Sequence, residues 1–342
     1  MAERIIGILL ILGVLFWMGA NLVKAPSDFF QNIVTGLNRG ALYALIALGY
    51  TLVYGIIELI NFAHGDLFML ATVLAANMMV NWLGLEQTNA AGFFGLGLTM
   101  IVCMIFAATL NVSAEFFAYR RLRNAPKLAA LITAVGLSFI FQNAGQLING
   151  SGQKPWNTVF DNSGFTIGGV LIKWSFLVII SVTIVLLLAL SYIVQRTRQG
   201  KAMRAVAQDQ DGARLMGVNV NATISFTFAL GGAMAGAAAA LYMEVIGTTR
   251  YDAGFQLGLI AFTAAVLGGV GNLTGAVLGG LLIGLIQGLN DGAPHGLGQE
   301  WSQSVVFTIL ILLMYIPAFK SLVTSITGSI SRQIQRLGSR QA

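Results

Sequence analysis

The sequence predicts an all-α, polytopic membrane protein with about ten transmembrane helices. The chain of 342 residues is 56% hydrophobic and only 9% charged, whereas about 25% of the residues in a soluble domain are charged. Apolar segments of about 20 residues, the length that crosses a bilayer core, recur along the whole chain. They are continuously apolar, as in FLVIISVTIVLLLALSYIV at 176–194, and lack the alternation of outer-membrane barrel strands.

Ten segments have the length and hydropathy of a membrane span. They are predicted at 5–23, 36–57, 64–83, 91–118, 128–149, 174–194, 223–243, 255–270, 273–290 and 303–319. With both termini in the cytoplasm, most of the 19 Lys and Arg residues fall in cytoplasmic segments, as the positive-inside rule requires. The net charge of +6 therefore indicates membrane topology and not binding to nucleic acid.

The predicted organisation has three parts. Residues 1–26 form an additional N-terminal transmembrane helix, residues 27–320 the main transmembrane domain, and residues 321–342 a cytoplasmic tail. The first segment also resembles a signal peptide, but Pro26 directly after the candidate cleavage site favours a retained helix.

The longest polar connection is QRTRQGKAMRAVAQDQDGARLMGVNVN at 195–221. Its apolar residues recur at near-helical spacing opposite a charged face, which predicts helices lying across the cytoplasmic membrane surface. Gly200, Gly212 and Gly217 are expected to interrupt these helices, and Gly217 suits a left-handed helix cap. Lipid alone could be the partner, but both charge signs alternate and most of the apolar side chains are small, which favours docking into a protein groove.

Polar residues also mark two breaks between spans. In INFAHGDLFML (60–70), Asn61 could cap the third span and Asp66 could lie in its positively polarised first turn. Alternatively, an interrupted helix would expose backbone donors to a zwitterionic substrate, and this interpretation is favoured for Asn61, His64, Gly65 and Asp66. In the second break, LGGVGNLTGAVLGG (267–280), the candidates for path lining are Asn272 and Thr274, whereas Gly275 and Gly279 suit helix packing.

Other chemistries lack support in the sequence. The chain has no Walker-type loop, no Cys and His cluster with metal-ligand spacing, and no Gly-x-Ser-x-Gly elbow. Its acidic residues lie almost wholly at span ends, which disfavours a gradient-driven secondary transporter. His64 and Asp66 could form an acid–base pair of a membrane enzyme, but nothing accompanies them that would complete a catalytic site. Glu115 is expected to stay solvated near Arg120 or Arg121.

Four stretches, spread over about 34–320 in the family's order, resemble the LivH-type permeases of branched-chain amino acid ABC importers. The stretches are GLNRGALYALIALGYTLVYGIIELINFAHGD (36–66), AEFFAYRRLRNAPKLAALITAVGLSFIFQN (114–143), GKAMRAVAQDQDGARLMGVNVNATISFTFALGGAMAGAAAALY (200–242) and AFTAAVLGGVGNLTGAVLGGLLIGLIQG (261–288). The segment 150–172 departs from the family pattern.

The resemblance implies a permease subunit in the cytoplasmic (inner) membrane of a bacterium or archaeon. Its implied partners are a second, related permease, two ATP-binding subunits and an extracytoplasmic binding protein. ATP and Mg would bind in the ATPase subunits, so this chain would hold no cofactor. Branched-chain or other neutral amino acids are the expected substrates, with urea or short amides as the alternative. The implied ATPase-coupling residues are Gly200, Arg204, Ala205, Ala207, Asp209, Ala213 and Gly217.

Overall fold

The protein is helical in a computed structural model, which describes residues 13, 16–58, 61–84, 90–123, 125–156, 158–160 and 163–315. The helices are α1 (16–24), α2 (Pro26–Ile57), α3 (Ala63–Ala76), α4 (Ala90–Phe117), α5 (Lys127–Asn149), α6 (Trp174–Arg196), α7 (Arg198–Gln208), α8 (Gln210–Leu215), α9 (Val220–Ile246), α10 (Ala253–Gly268), α11 (Leu273–Gly292) and α12 (Ser302–Tyr315). A π-helical segment (Asn77–Leu83) extends α3, and short 3₁₀ helices follow α4 (Tyr119–Leu122) and precede α12 (Gln299–Trp301).

In the described part of the chain, seven helices are long and apolar enough to cross a membrane. This result confirms a multi-pass helical protein. The predicted spans 5–23 and 303–319 lie partly outside the described residues, and α10, at 16 residues, falls short of the length needed. Helix α2 begins at Pro26, ten residues before the predicted span, because a proline at the first helical position has the required φ and lacks only an N–H that would be unpaired there.

Helix α2 packs against α9 and α11 at the centre of the molecule. Glycines bring α2 and α11 into backbone contact: a Cβ added at Gly40 would lie 2.8 Å from the Cα of Leu281, and one at Gly284 would lie 2.3 Å from the Cα of Gly40. Such close approach is typical of membrane helices, whose association depends on packing and not on the exclusion of water. Helix α4 packs against α9, α6 against α2 and α5 against α3, and all three carry exposed apolar side chains.

The segment between α5 and α6 takes part in two small antiparallel sheets. Strand β1 (Lys154–Pro155) pairs with β4 (Thr248–Thr249), and β2 (Gly164–Ile167) pairs with β3 (Val170–Lys173). The buried carboxylate of Glu244, near the end of α9, accepts hydrogen bonds from the indole of Trp156 (3.1 Å) and from the backbone N–H groups of Val159 (3.1 Å) and Phe160 (2.8 Å). Glu244 therefore anchors this segment to the helical core.

Candidate functional site

The helical structure is interrupted between α2 and α3, as the polar stretch at 60–70 predicts. Glu58 has a left-handed backbone (φ 51°), and α3 begins at Ala63 with no side-chain cap. The capping interpretation of Asn61 is wrong, because its Oδ1 accepts a hydrogen bond from the Tyr119 hydroxyl (2.8 Å). That buried phenol needs an acceptor, and the buried amide of Asn61 supplies it.

His64 is buried, with 1% of its surface exposed. Its ring packs edge-on against Tyr50, with centroids 4.7 Å apart, and lies directly over Gly49, where an added Cβ would be 2.4 Å from Nε2. The carbonyl of Ile46 lies near the ring, but neither ring nitrogen completes a hydrogen bond with a described residue. Unpaired buried polar atoms are uncommon in native proteins, so this side chain needs an explanation beyond packing.

His64 opens onto a narrow cavity in which two breaks of the helical structure meet. One break is the α2–α3 connection, and the other is the turn between α10 and α11, where Gly269 (φ 88°) and Gly271 (φ 84°) have left-handed backbone. The cavity is lined by Tyr50, Val53 and Tyr54 of α2, Asn61 and His64 of the first break, Phe262 and Ala265 of α10, and Val270 of the turn.

Gly65 and Asp66 face neighbouring helices and do not line this cavity. A Cβ at Gly65 would lie 2.3 Å from the carbonyl oxygen of Gly254 in α10. Asp66 lies in the first turn of α3, as predicted, and is fully buried. Its carboxylate accepts hydrogen bonds from Ser138 and from Gln142 (3.2 Å), which connects α3 to α5.

The second pair of predicted path residues lies beside the cavity. Asn272 Oδ1 accepts the Gly275 N–H (3.1 Å) and caps α11. Asn272 and Thr274 are half-buried, and neither belongs to the cavity wall. The packing interpretation of Gly275 and Gly279 is confirmed, because a Cβ at either position would meet the backbone of α10, at 1.9 Å and 2.2 Å.

Sequence reasoning missed the aromatic walls of the cavity. Tyr50, Tyr54 and Phe262 lie within long apolar helices, where an aromatic residue is indistinguishable from ordinary core. Only their proximity to an interrupted helix distinguishes them, and that proximity joins segments about 200 residues apart in the chain.

The predicted cytoplasmic connection consists of two short helices, α7 and α8. Gly200 and Gly212 lie inside these helices, so the expectation that they interrupt the structure is wrong. The break occurs at Asp209, whose extended backbone (φ −155°) ends α7 and whose carboxylate caps α8 by accepting the Asp211 N–H (3.0 Å). Gly200 instead permits close packing, because an added Cβ would lie 2.3 Å from the carbonyl oxygens of Ile193 and Val194.

The left-handed cap predicted at Gly217 is confirmed. Gly217 has φ 81°, its N–H donates to the carbonyl of Arg214 (3.0 Å), and the next N–H, of Val218, donates to the carbonyl of Ala213 (3.0 Å). This pair of bonds is the Schellman arrangement. It ends α8 and directs the chain into α9.

Helices α7 and α8 bury one face and expose the other. Met203, Val206 and Ala213 are buried. Arg204, Ala207 and Asp209 are exposed, and Ala205 is half-buried. Arg204 donates to the carbonyl of Val194 and Asp209 caps α8, so each has its own local partner. At the end of α8, the apolar side chains of Leu215 (89% exposed) and Met216 (84% exposed) project from the protein.

A buried ionic cluster joins the start of α9 to the end of α4. Glu115, expected to be solvated, is fully buried and accepts hydrogen bonds from Arg120 (2.8 Å), Arg123 and Ser225 (2.7 Å). Burial lowers the pKa of Arg123 from its ordinary value, and the Glu115 carboxylate opposes that shift. The expectation was wrong because the packing of α9 against α4 excludes water from the carboxylate.

The cluster around Glu115 lies between the α8–α9 connection and the cavity beside His64. Arg123 donates to Asn221 (2.6 Å) in the first turn of α9, directly after α8. Tyr119, next to Arg120 in sequence, donates to Asn61 at the cavity. Hydrogen bonds and residues adjacent in the chain therefore connect the first turn of α9, which follows α8, to the cavity beside His64.

The fold and the site together define a class of protein: a multi-pass helical membrane protein whose interrupted helices enclose a cavity, as in transporters. In the described part of the chain, no three His, Cys, Asp or Glu side chains are grouped to hold a metal ion. The family described as "Branched-chain amino acid transport system / permease component" matches residues 32–315. The chain belongs to this family, and it is a transport subunit rather than an enzyme.

Named relatives cover most of the chain. It is 38% identical to the high-affinity branched-chain amino acid transport system permease protein BraD of Pseudomonas aeruginosa and 38% identical to the corresponding protein LivH of Escherichia coli K12, covering 84% of this chain and 93% of the relative in both cases. A probable LivH of Methanocaldococcus jannaschii is 28% identical, over 69% of this chain and 73% of the relative. No solved structure matches the chain.

Proposed function

We propose that the chain forms the translocation path of an ATP-driven importer for branched-chain or other neutral amino acids delivered by a soluble binding protein. The observation that carries the proposal is His64, buried at the meeting point of two interrupted helices, where neither ring nitrogen completes a hydrogen bond with a residue that the structure describes. Within a transport permease, an unsatisfied polar side chain in such a cavity is suited to contact a polar solute during its passage.

The transporter would contain several subunits in the cytoplasmic (inner) membrane of a bacterium or archaeon. The proposed partners are a second, related permease, two ATP-binding subunits, an extracytoplasmic binding protein and membrane lipid. ATP and Mg would be bound by the ATPase subunits and no cofactor by this chain. The chain would have ten spans and both termini in the cytoplasm. It would consist of an additional helix at 1–26, the permease domain at 27–320 and a tail at 321–342.

Helices α7 and α8 would dock on the ATPase subunits. Support comes from Leu215 and Met216, because two large apolar side chains so fully exposed mark an interaction surface when they project from a short, well-capped helix. The neighbouring ion pair between Arg214 and Asp211 (3.2 Å) would give this surface a charged rim. Both residues are strongly exposed, so the pair would set orientation more than affinity.

Movement of α8 would reach the cavity through the cluster around Glu115. The carboxylate and its two arginines hold the first turns of α9 to the end of α4, and the Tyr119 hydroxyl holds Asn61. Two packings of this cluster would open the cavity to different sides of the membrane, which is the general form of alternating access.

The substrate's carboxylate would bind at the α2–α3 break. The first N–H groups of a helix favour anions, and α3 begins here beside Asn61 and His64. Gly65, Asp66, Asn272 and Thr274 would act around the path by positioning α3, α5 and α11. A neutral side chain suits the cavity, since its described lining contains no Asp, Glu, Lys or Arg.

The test uses the complete transporter in proteoliposomes with internal ATP and loaded binding protein outside. His64→Ala is expected to reduce leucine uptake at least tenfold, while the four subunits still co-purify. The chain's only other histidine, His295, makes hydrogen bonds through its backbone groups, so His295→Ala is the matched control and should transport normally. Wild-type uptake by His64→Ala would contradict the role of the side chain, and uptake of urea but not leucine by the wild-type complex would identify the alternative substrate.

A further inference from the structure

We infer that Tyr50, Tyr54 and Phe262 form a pocket for the aliphatic side chain of the transported amino acid. The permease would then select among the substrates that the binding protein delivers. Because selection presupposes transport, this assignment rests on the proposed function.

The walls of the cavity divide by chemistry. Apart from the tyrosine hydroxyls, the polar groups of the wall belong to Asn61 and His64, and both residues come from the α2–α3 break. The remaining wall comes from α2, α10 and the α10–α11 turn, and consists of three aromatic rings and the small apolar side chains of Val53, Ala265 and Val270. A ligand with one polar end and one apolar end would therefore bind in a single orientation, its apolar end against α2 and α10.

Two of the three rings in this wall, those of Tyr50 and Phe262, are held in place by packing. Tyr50 stands edge-on to His64 at 4.7 Å and to Phe262 at 5.9 Å between ring centroids, and Phe262 also lies 6.1 Å from Phe62 in a tilted arrangement. Edge-to-face contacts at the first two separations favour one orientation of each ring. Tyr50 and Phe262 thus give the aromatic wall a defined shape.

This chemistry selects against other solutes. Among the residues that the structure describes, none with a charged side chain lines the cavity, so a basic or acidic substrate side chain would lose hydration without gaining a partner there. Urea has no apolar end and would leave hydrogen-bonding groups unpaired against the aromatic wall. An aliphatic side chain has no such groups, and its methyl and methylene groups gain from burial.

The turn between α10 and α11 would have to move for the cavity to admit a longer side chain. The cavity is narrow in this structure, and Val270 of this turn, which is 38% exposed, forms part of its wall. The flanking Gly269 and Gly271 have left-handed backbone, which glycine adopts without steric cost. The backbone of Gly271 lies against α2, because a Cβ added at Gly55 would be 3.2 Å from the Gly271 Cα.

The experiment compares the turnover of alanine, valine and leucine by the reconstituted complex at saturating loaded binding protein. Ala265→Val adds two carbons to a wall residue that is 1% exposed, so leucine turnover should fall about tenfold relative to alanine, since one methylene in an apolar pocket changes discrimination by about tenfold or more. Phe262→Ala widens the pocket and should shift the ratio toward leucine. Phe141→Ala in α5, a half-buried aromatic residue outside the cavity, is the control.

The outcomes separate the two proposals. An unchanged alanine-to-leucine ratio in Ala265→Val, in a complex that still transports, would overturn the pocket assignment. Should Phe262→Ala fail to assemble, the smaller change in Ala265→Val still decides the question. Absence of ATP-driven amino acid uptake by the wild-type complex would instead refute the proposed function.

Discussion

The cap at Gly217 gives the most specific mutational prediction. Its φ of 81° and the two hydrogen bonds that close α8 set the direction in which Leu215 and Met216 project. An alanine in left-handed backbone costs roughly 1–2 kcal/mol, which lowers the ratio of capped to uncapped α8 about 5- to 30-fold. We therefore expect Gly217→Ala to reduce ATP-driven uptake without abolishing it.

Proline at the same position should have a larger effect. Its φ is restricted to about −65°, far from the observed angle, and it removes the N–H that donates to Arg214. Loss of that bond adds about 1 kcal/mol to the conformational cost. Gly217→Pro is thus expected to abolish uptake, while membrane insertion, which depends on the spans, stays intact.

The assay is substrate uptake by the reconstituted complex, with membrane content of each variant measured by immunoblot. Gly84 provides the matched control, because it also ends a helix in left-handed backbone (φ 60°), at the end of the π-helical segment that extends α3, and an added Cβ would meet no described atom within 4 Å. Gly84→Ala and Gly84→Pro should retain coupled uptake. Normal uptake by Gly217→Pro would refute the role of α8 in coupling.

Three further substitutions test the contacts around the cavity and the outer segment. Tyr119→Phe removes the hydroxyl that holds Asn61 but keeps the ring, so the ATP hydrolysed per substrate transported should rise; an unchanged ratio would exclude this link. Gly65→Ala places a methyl group 2.3 Å from the carbonyl oxygen of Gly254. Overpacking of this kind costs about 1–3 kcal/mol, so the melting temperature of the complex should fall. A wild-type melting temperature would show that α3 and α10 separate freely. Glu244→Gln leaves one amide oxygen for three hydrogen-bond donors. Because an unpaired buried donor costs about 1–3 kcal/mol, proteolysis of the segment between α5 and α6 should accelerate. Equal cleavage rates in the variant and the wild type would show that this anchor is dispensable.

Local signals in the sequence were sufficient for the main features of the fold. Long apolar runs predict the spans, and a glycine after Arg-Leu-Met predicts the left-handed cap at Gly217. Both features depend on residues that are adjacent in the chain, so they can be predicted without knowledge of the tertiary structure. The polar residues at 61–66 predict the helix break for the same reason.

Features that depend on distant contacts were not predictable in this way. Asn61 looks like a helix cap until Tyr119, 58 residues away, engages its side chain. Glu115 looks solvated until α9 covers it with Ser225. In each case a tertiary partner, and not local propensity, decides the role of the residue.

Reconstitution of the complete transporter tests the central claim most directly. The chain, the proposed second permease and the proposed ATPase subunits are placed in proteoliposomes, and leucine uptake is measured with ATP and loaded binding protein supplied together or singly. We predict uptake only when both are present. Uptake by this chain alone down an ion gradient, with no ATPase subunit in the membrane, would contradict the account.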